Sequence, residues 1–118
     1  MTALLDLLLL LGSLAWGADA PVQVVQESPY AGAMGLACGP AFRTVPGNVQ
    51  GRCPEGYEGI VIYPLALRDG ATLLNILRHE SYHIETGPQE GGDPFREREA
   101  YAAGCAYSWI PECERWVR

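Results

Sequence analysis

From Asp69 to Thr86 the chain reads DGATLLNILRHESYHIET, a stretch with the spacing of a helix that is apolar along one side. Asp69 is the N-cap, its carboxylate placed to accept a first-turn N–H, and no Pro or Gly interrupts residues 71–86. Leu73, Leu74, Ile76, Leu77 and Ile84 supply the apolar face, and Gly87-Pro88 ends the run with a C′ glycine and a breaker. Inside this helix stands His79-Glu80-Ser81-Tyr82-His83. Residues four apart share a helical face, so both imidazoles can reach one metal ion while Glu80 projects beside them, outside the ligand set. A carboxylate so placed can take a proton from metal-bound water and pass it to a leaving amine. His79 and His83 are the only histidines in the chain.

A catalytic zinc ion needs three protein ligands and an open position for water. With no further histidine, the third ligand must be a carboxylate, a Cys or a Tyr. A second helix supplies candidates: Asp93-Pro94 is an N-cap followed by proline at the first helical position, and the helix runs to about Ser108 before Pro111 forbids continuation. Glu99 shares a face with Ala102, Ala103 and Ala106, small residues that let two helices approach closely. Glu97 shares its own face with Ala100, Tyr101 and Gly104 and stays open as the alternative. Glu85 follows His83 too closely to join the same ion. The ligand set favoured by this face argument is His79, His83 and Glu99 around Zn2+, with Glu80 as the base.

Towards the N-terminus, Gly59-Ile60-Val61-Ile62-Tyr63 is the clearest strand, β-branched and aromatic, and Pro64 after it suggests a sheet edge or a strand end. Val22 to Val25 and Phe42 to Val45 are shorter strand candidates, and residues 28–40, with Pro29, Gly32, Gly35, Gly39 and Pro40, read mainly as loop. The fold class is therefore α+β, a small mixed or antiparallel sheet with two principal helices. Of the remaining side chains, Tyr82, Tyr101 and Tyr107 read as packing residues with satisfied hydroxyls, Arg96 and Arg98 as a solvated face, and Trp109 and Trp116 as anchors of the C-terminal tail.

The first residues have the pattern of a secretory leader. An apolar run from Leu4 to Trp16 covers about 20 Å as a helix, short of the ~30 Å of a hydrocarbon core. Ala18-Asp19-Ala20 is a small-x-small cleavage pattern, with cleavage after Gly17 as the alternative and a retained N-terminal helix as the other reading. This predicts a leader over residues 1–20, a single domain over 21–118, a secreted or periplasmic location, and no stable membrane span once the leader is gone. Cys38, Cys53, Cys105 and Cys113, even in number and with no Cys-x-x-Cys pair, fit disulfides; proximity favours Cys38–Cys53 and Cys105–Cys113 among the three pairings, with free thiols as the alternative. A length of 118 residues excludes a second catalytic domain, and a formal charge of −6 argues against nucleic acid as a partner.

Residues 59–108, a strand, the His79-Glu80-x-x-His83 helix, a loop and a helix bearing Glu99-Ala100, resemble the gluzincin-type zinc metallopeptidases, above all the smallest, the minigluzincins. The Arg-Glu-Arg-Glu-Ala run at Arg96 to Ala100 is similar to the Glu-Ala segment that carries the third ligand in several such families. The resemblance implies zinc on His79, His83 and Glu99, Glu80 as general base, and peptides or proteins as substrates. It departs from thermolysin-like enzymes at Ala103, where they carry an Asp that orients a histidine. The expected activity is zinc-dependent peptide hydrolysis, with the strand at Ile60 to Tyr63 aligning an extended substrate. The rival expectations are a non-catalytic, zinc-stabilised binding module and a metal-free interaction domain held by disulfides.

Overall fold

Ile60, Val61 and Ile62 alternate between two apolar layers, and the sheet is organised around them. The computed structural model describes residues 21–29, 31–39, 53–54, 56–86 and 94–117. Within these, β1 (Val22–Val24), β2 (Gly35–Cys38) and β3 (Gly59–Ile62) form a three-stranded mixed sheet in the order β1-β3-β2. β1 pairs parallel to β3, Val22 opposite Ile60, and β2 pairs antiparallel, Gly35 opposite Ile62. A 3-10 helix (Pro64–Leu67) leads into α1 (Gly70–Thr86), followed by α2 (Pro94–Tyr107) and the short α3 (Cys113–Trp116). The expected α+β class holds. The residues expected to form a leader (1–20), a strand (Phe42 to Val45) and the loop between the helices lie outside the described residues.

Successive strand residues point to opposite faces. On one face of β3, Ile60 and Ile62 pack with Ala66, Leu73, Ile76 and Leu77, joining the sheet to α1. On the other, Val61 packs with Ala33, Cys38 and Tyr63. β3 is thus buried throughout and flanked on both sides, which corrects the expectation that Ile60 to Tyr63 forms an edge able to align a substrate. Pro64 stands two residues past the paired strand and opens the 3-10 helix, where its missing N–H costs no ladder bond. The segment 28–40, expected to be loop, contains β2. Gly35 is there for clearance: a Cβ on it would stand 2.7 Å from Ile76 Cγ2 and 3.2 Å from Glu80 Cγ.

α1 starts as its sequence predicts, the Thr72 N–H donating to Asp69 Oδ1 at 2.7 Å. Its stripe of Leu73, Ile76 and Leu77 meets the sheet, and a neighbouring stripe of Thr72, Asn75 and His79, all buried, turns towards α2. The helices approach closely at Gly104, where a Cβ would meet the backbone oxygen of Asn75 at 2.8 Å. Asn75 Nδ2 donates to the Ser108 carbonyl at 2.9 Å, and Ser108 Oγ donates to the Ala71 carbonyl at 2.7 Å, so the end of α2 is bonded back onto α1. Arg68 donates to both carboxylate oxygens of Glu112, at 2.7 and 2.6 Å, holding the start of α3 to the start of α1. Both disulfides take the pairing that proximity favoured, Cys38–Cys53 and Cys105–Cys113. Of the two tail tryptophans, Trp116 packs on the core, whereas Trp109 is 56% exposed and does not anchor the tail.

Gly104→Ala sets about 1 kcal/mol of helix propensity against an overpacking cost of about 1–3 kcal/mol. The atom in the way belongs to the backbone of α1, which cannot rotate aside, so the cost should win. Thermal unfolding followed by circular dichroism should show a lower Tm; an unchanged or raised Tm would mean that the helices are not in contact there.

Candidate metal centre

The two faces of α1 diverge at consecutive residues. His79 continues the stripe that meets α2, while Glu80 stands three and four residues beyond Leu77 and Ile76, on the stripe that meets the sheet. Both are buried, His79 to 6% and Glu80 to 4% exposure, and Glu80 lies beneath Gly35 of β2. Its carboxylate is still beside the histidines, Oε1 standing 3.7 Å from His79 Nε2.

Opposite the histidines, the first turn of α2 presents Glu97. His79 Nε2 stands 2.9 Å from Glu97 Oε1, and His83 Nε2 stands 2.9 Å from Oε2. One ligand atom from each of the three residues can be chosen so that all lie within 4.8 Å of one another. Donors about 2.1 Å from a tetrahedrally bound ion are separated by about 3.4 Å, a spacing of the same order as those found here. Two imidazole nitrogens and a carboxylate oxygen suit a divalent transition metal. His79, His83 and Glu97 are therefore a group that could hold a metal ion.

The two carboxylates beside the histidines respond in opposite directions to their surroundings. Burial pushes the Glu80 carboxyl above its ordinary range, and Glu97 adds to that push, while His79 and His83 only partly oppose it. At Glu97 burial also pushes upward, but hydrogen bonds from His79 and His83, and then their charge, outweigh it and hold this carboxyl well below the usual range. The same two histidines thus hold the Glu97 carboxyl down, while for the deeper Glu80 burial prevails over them.

Glu99, the third ligand favoured from the sequence, is placed elsewhere: it accepts a hydrogen bond from the Tyr82 hydroxyl. The physical reason is the rotation of α2. The face that packs on α1 carries Glu97, Ala100, Tyr101, Gly104 and Cys105, with Ala100 and Cys105 buried, whereas Ala102 and Ala106, on the Glu99 face, are exposed. An aromatic ring and a disulfide bury more apolar surface than a row of methyl groups, and Gly104 rather than alanine gives the close approach. The signal was present in the sequence, since Tyr101, Gly104 and Cys105 stand four, seven and eight residues after Glu97. Glu85 is directed away, its Oε1 pairing with Arg78 at 3.0 Å. Tyr107 is exposed, and Tyr101 lies against His79, ring centroids 4.6 Å apart. Arg98 is exposed as expected.

No family model matches the chain, and neither curated proteins nor solved structures gave a match.

The geometry separates the two carboxylates of α2 by experiment. Glu97→Gln should weaken divalent-metal binding by more than the roughly 10–100-fold that losing a supporting partner costs, and Glu99→Gln should cost at most about tenfold, as a supporting role would. Competition with a chromogenic chelator reads both; equal losses would place Glu99 in the ligand set after all.

Proposed function

We propose that this chain is a small exported zinc peptidase of the gluzincin kind, with His79, His83 and Glu97 as ligands and Glu80 as general base. The observation that carries the proposal is the convergence of both histidine Nε2 atoms on one carboxylate of the neighbouring helix, with the motif's glutamate close by yet outside the ligand group. A zinc ion held there supplies Lewis-acid polarisation of a scissile carbonyl and acidifies a water molecule. Glu80 does the proton work, its Oε1 standing 3.7 Å from His79 Nε2 and within reach of a water bound between the ligands. Tyr82 and Glu99 join α1 to α2 beside the ligands. Two disulfides fit an oxidising compartment and support the secreted or periplasmic location that the leader pattern suggests. The substrates proposed are peptides or proteins.

One observation favours a second reading. Glu80 is 4% exposed beneath the backbone of β2, a placement that restricts access to it, and a metal on the same ligands would then staple α1 to α2 in a binding module without catalysis.

The zinc-loaded protein, offered a mixture of peptides with and without chelator, separates the two. Chelator-sensitive cleavage that falls at least about a hundredfold in Glu80→Gln, with zinc content unchanged, is the result expected of the peptidase. A fully loaded wild-type chain that cleaves nothing would leave the binding module. Zinc absent from the gently purified protein, with no uptake on titration, would remove both.

A further inference from the structure

A metal-binding histidine is ordinarily held by a second bond: the ring nitrogen that does not face the metal donates to a carboxylate, a carbonyl or water, and this fixes the ring plane. Among the described residues nothing gives His79 that support. Its Nε2 faces Glu97 at 2.9 Å, but its buried Nδ1 has no hydrogen-bond partner among the described residues. An aromatic ring bears on the imidazole instead. Tyr101, one turn after Glu97 on α2, lies against it with centroids 4.6 Å apart and planes inclined at 56°. Trp116 in turn stacks on Tyr101, at 4.7 Å and 28°. Trp116 is itself held, because α3 begins at Cys113, bonded to Cys105 of α2, and the indole packs against the main apolar core.

We propose that Tyr101 is the positioning residue for His79: its ring, backed by Trp116, sets the imidazole plane so that Nε2 points to Glu97, in place of the bond that Nδ1 does not make. The consequence for metal binding rests on the metal centre proposed above; the ordering of the ring does not. Three alternatives for the same space separate this role from simple filling. Phenylalanine keeps the flat face, leucine keeps comparable apolar bulk without it, and Trp116→Leu removes the backing while leaving Tyr101 in place.

The experiment records imidazole 1H–15N correlation spectra of the metal-free protein together with zinc affinity by chelator competition. Wild type and Tyr101→Phe should each give one sharp set of His79 ring signals and bind zinc equally. Tyr101→Leu should broaden or double those signals and weaken zinc by about tenfold, the lower end of what losing a supporting partner costs, and Trp116→Leu should move both readouts in the same direction. Unchanged His79 signals in Tyr101→Leu would overturn the proposal, as would a Tyr101→Phe protein that behaves like Tyr101→Leu. A wild-type chain that binds no zinc would defeat the metal centre alone, since the metal-free spectra still decide for or against Tyr101.

Discussion

The crossing of α1 and α2 at Asn75 and Gly104 is the contact on which the site depends. The missing side chain at Gly104 lets the backbones approach to a distance that a single methyl group would forbid. Once the axes are that close, the rest of the packed face of α2 has its place: Cys105 one residue later can reach Cys113, Tyr101 one turn earlier meets His79, and Glu97 two turns earlier meets both histidines. A helical pair held only by long side chains would leave these groups several ångströms apart, too far for two nitrogens and a carboxylate to share an ion.

The second constraint is that α1 serves two surfaces at once. Leu73, Ile76 and Leu77 are spent on the sheet, and Glu80 occupies the next position of that same stripe. A carboxylate at a core position has a high desolvation cost. The fold meets it with a β2 whose Gly35 carries no side chain above it, and with imidazoles on the adjoining stripe. The local conflict of a charged group in an apolar face is of the kind that foldable sequences keep for their sites.

The strongly periodic parts of the chain were legible in advance. β3 is a run of β-branched and aromatic residues bounded by Gly59 and Pro64, α1 shows the 3.6-residue spacing over enough positions to be read directly, and Asp69 marked its start. β2 was not legible, because Gly-Leu-Ala-Cys has little preference for a strand and becomes one only by pairing with β3. The rank of β3 within the sheet was hidden for a related reason: Pro64 reports a strand end, and a strand end looks the same at an edge and at a centre. At the site, both histidines and Glu80 follow from spacing alone. The rotation of α2 does not, since it depends on how Gly104, Tyr101 and the Cys105–Cys113 bridge compete for contact with α1, and that competition is decided across the interface rather than along the chain.

The disulfide between Cys38 and Cys53 joins the end of β2 to the stretch that leads into β3, with Cα atoms 6.0 Å apart across a sequence separation of 15. Closing a loop of that size restricts the unfolded chain by about 3 kcal/mol on the entropic account. It also sets the separation of Cys38 and Cys53 by sulfur, whatever residues stand between them. Doubling the length of such a loop adds only about 0.6 kcal/mol of closure entropy. The bond therefore ties the register of β2 on β3, and with it the clearance above Glu80, to two sulfur atoms and not to the length of the connection between them.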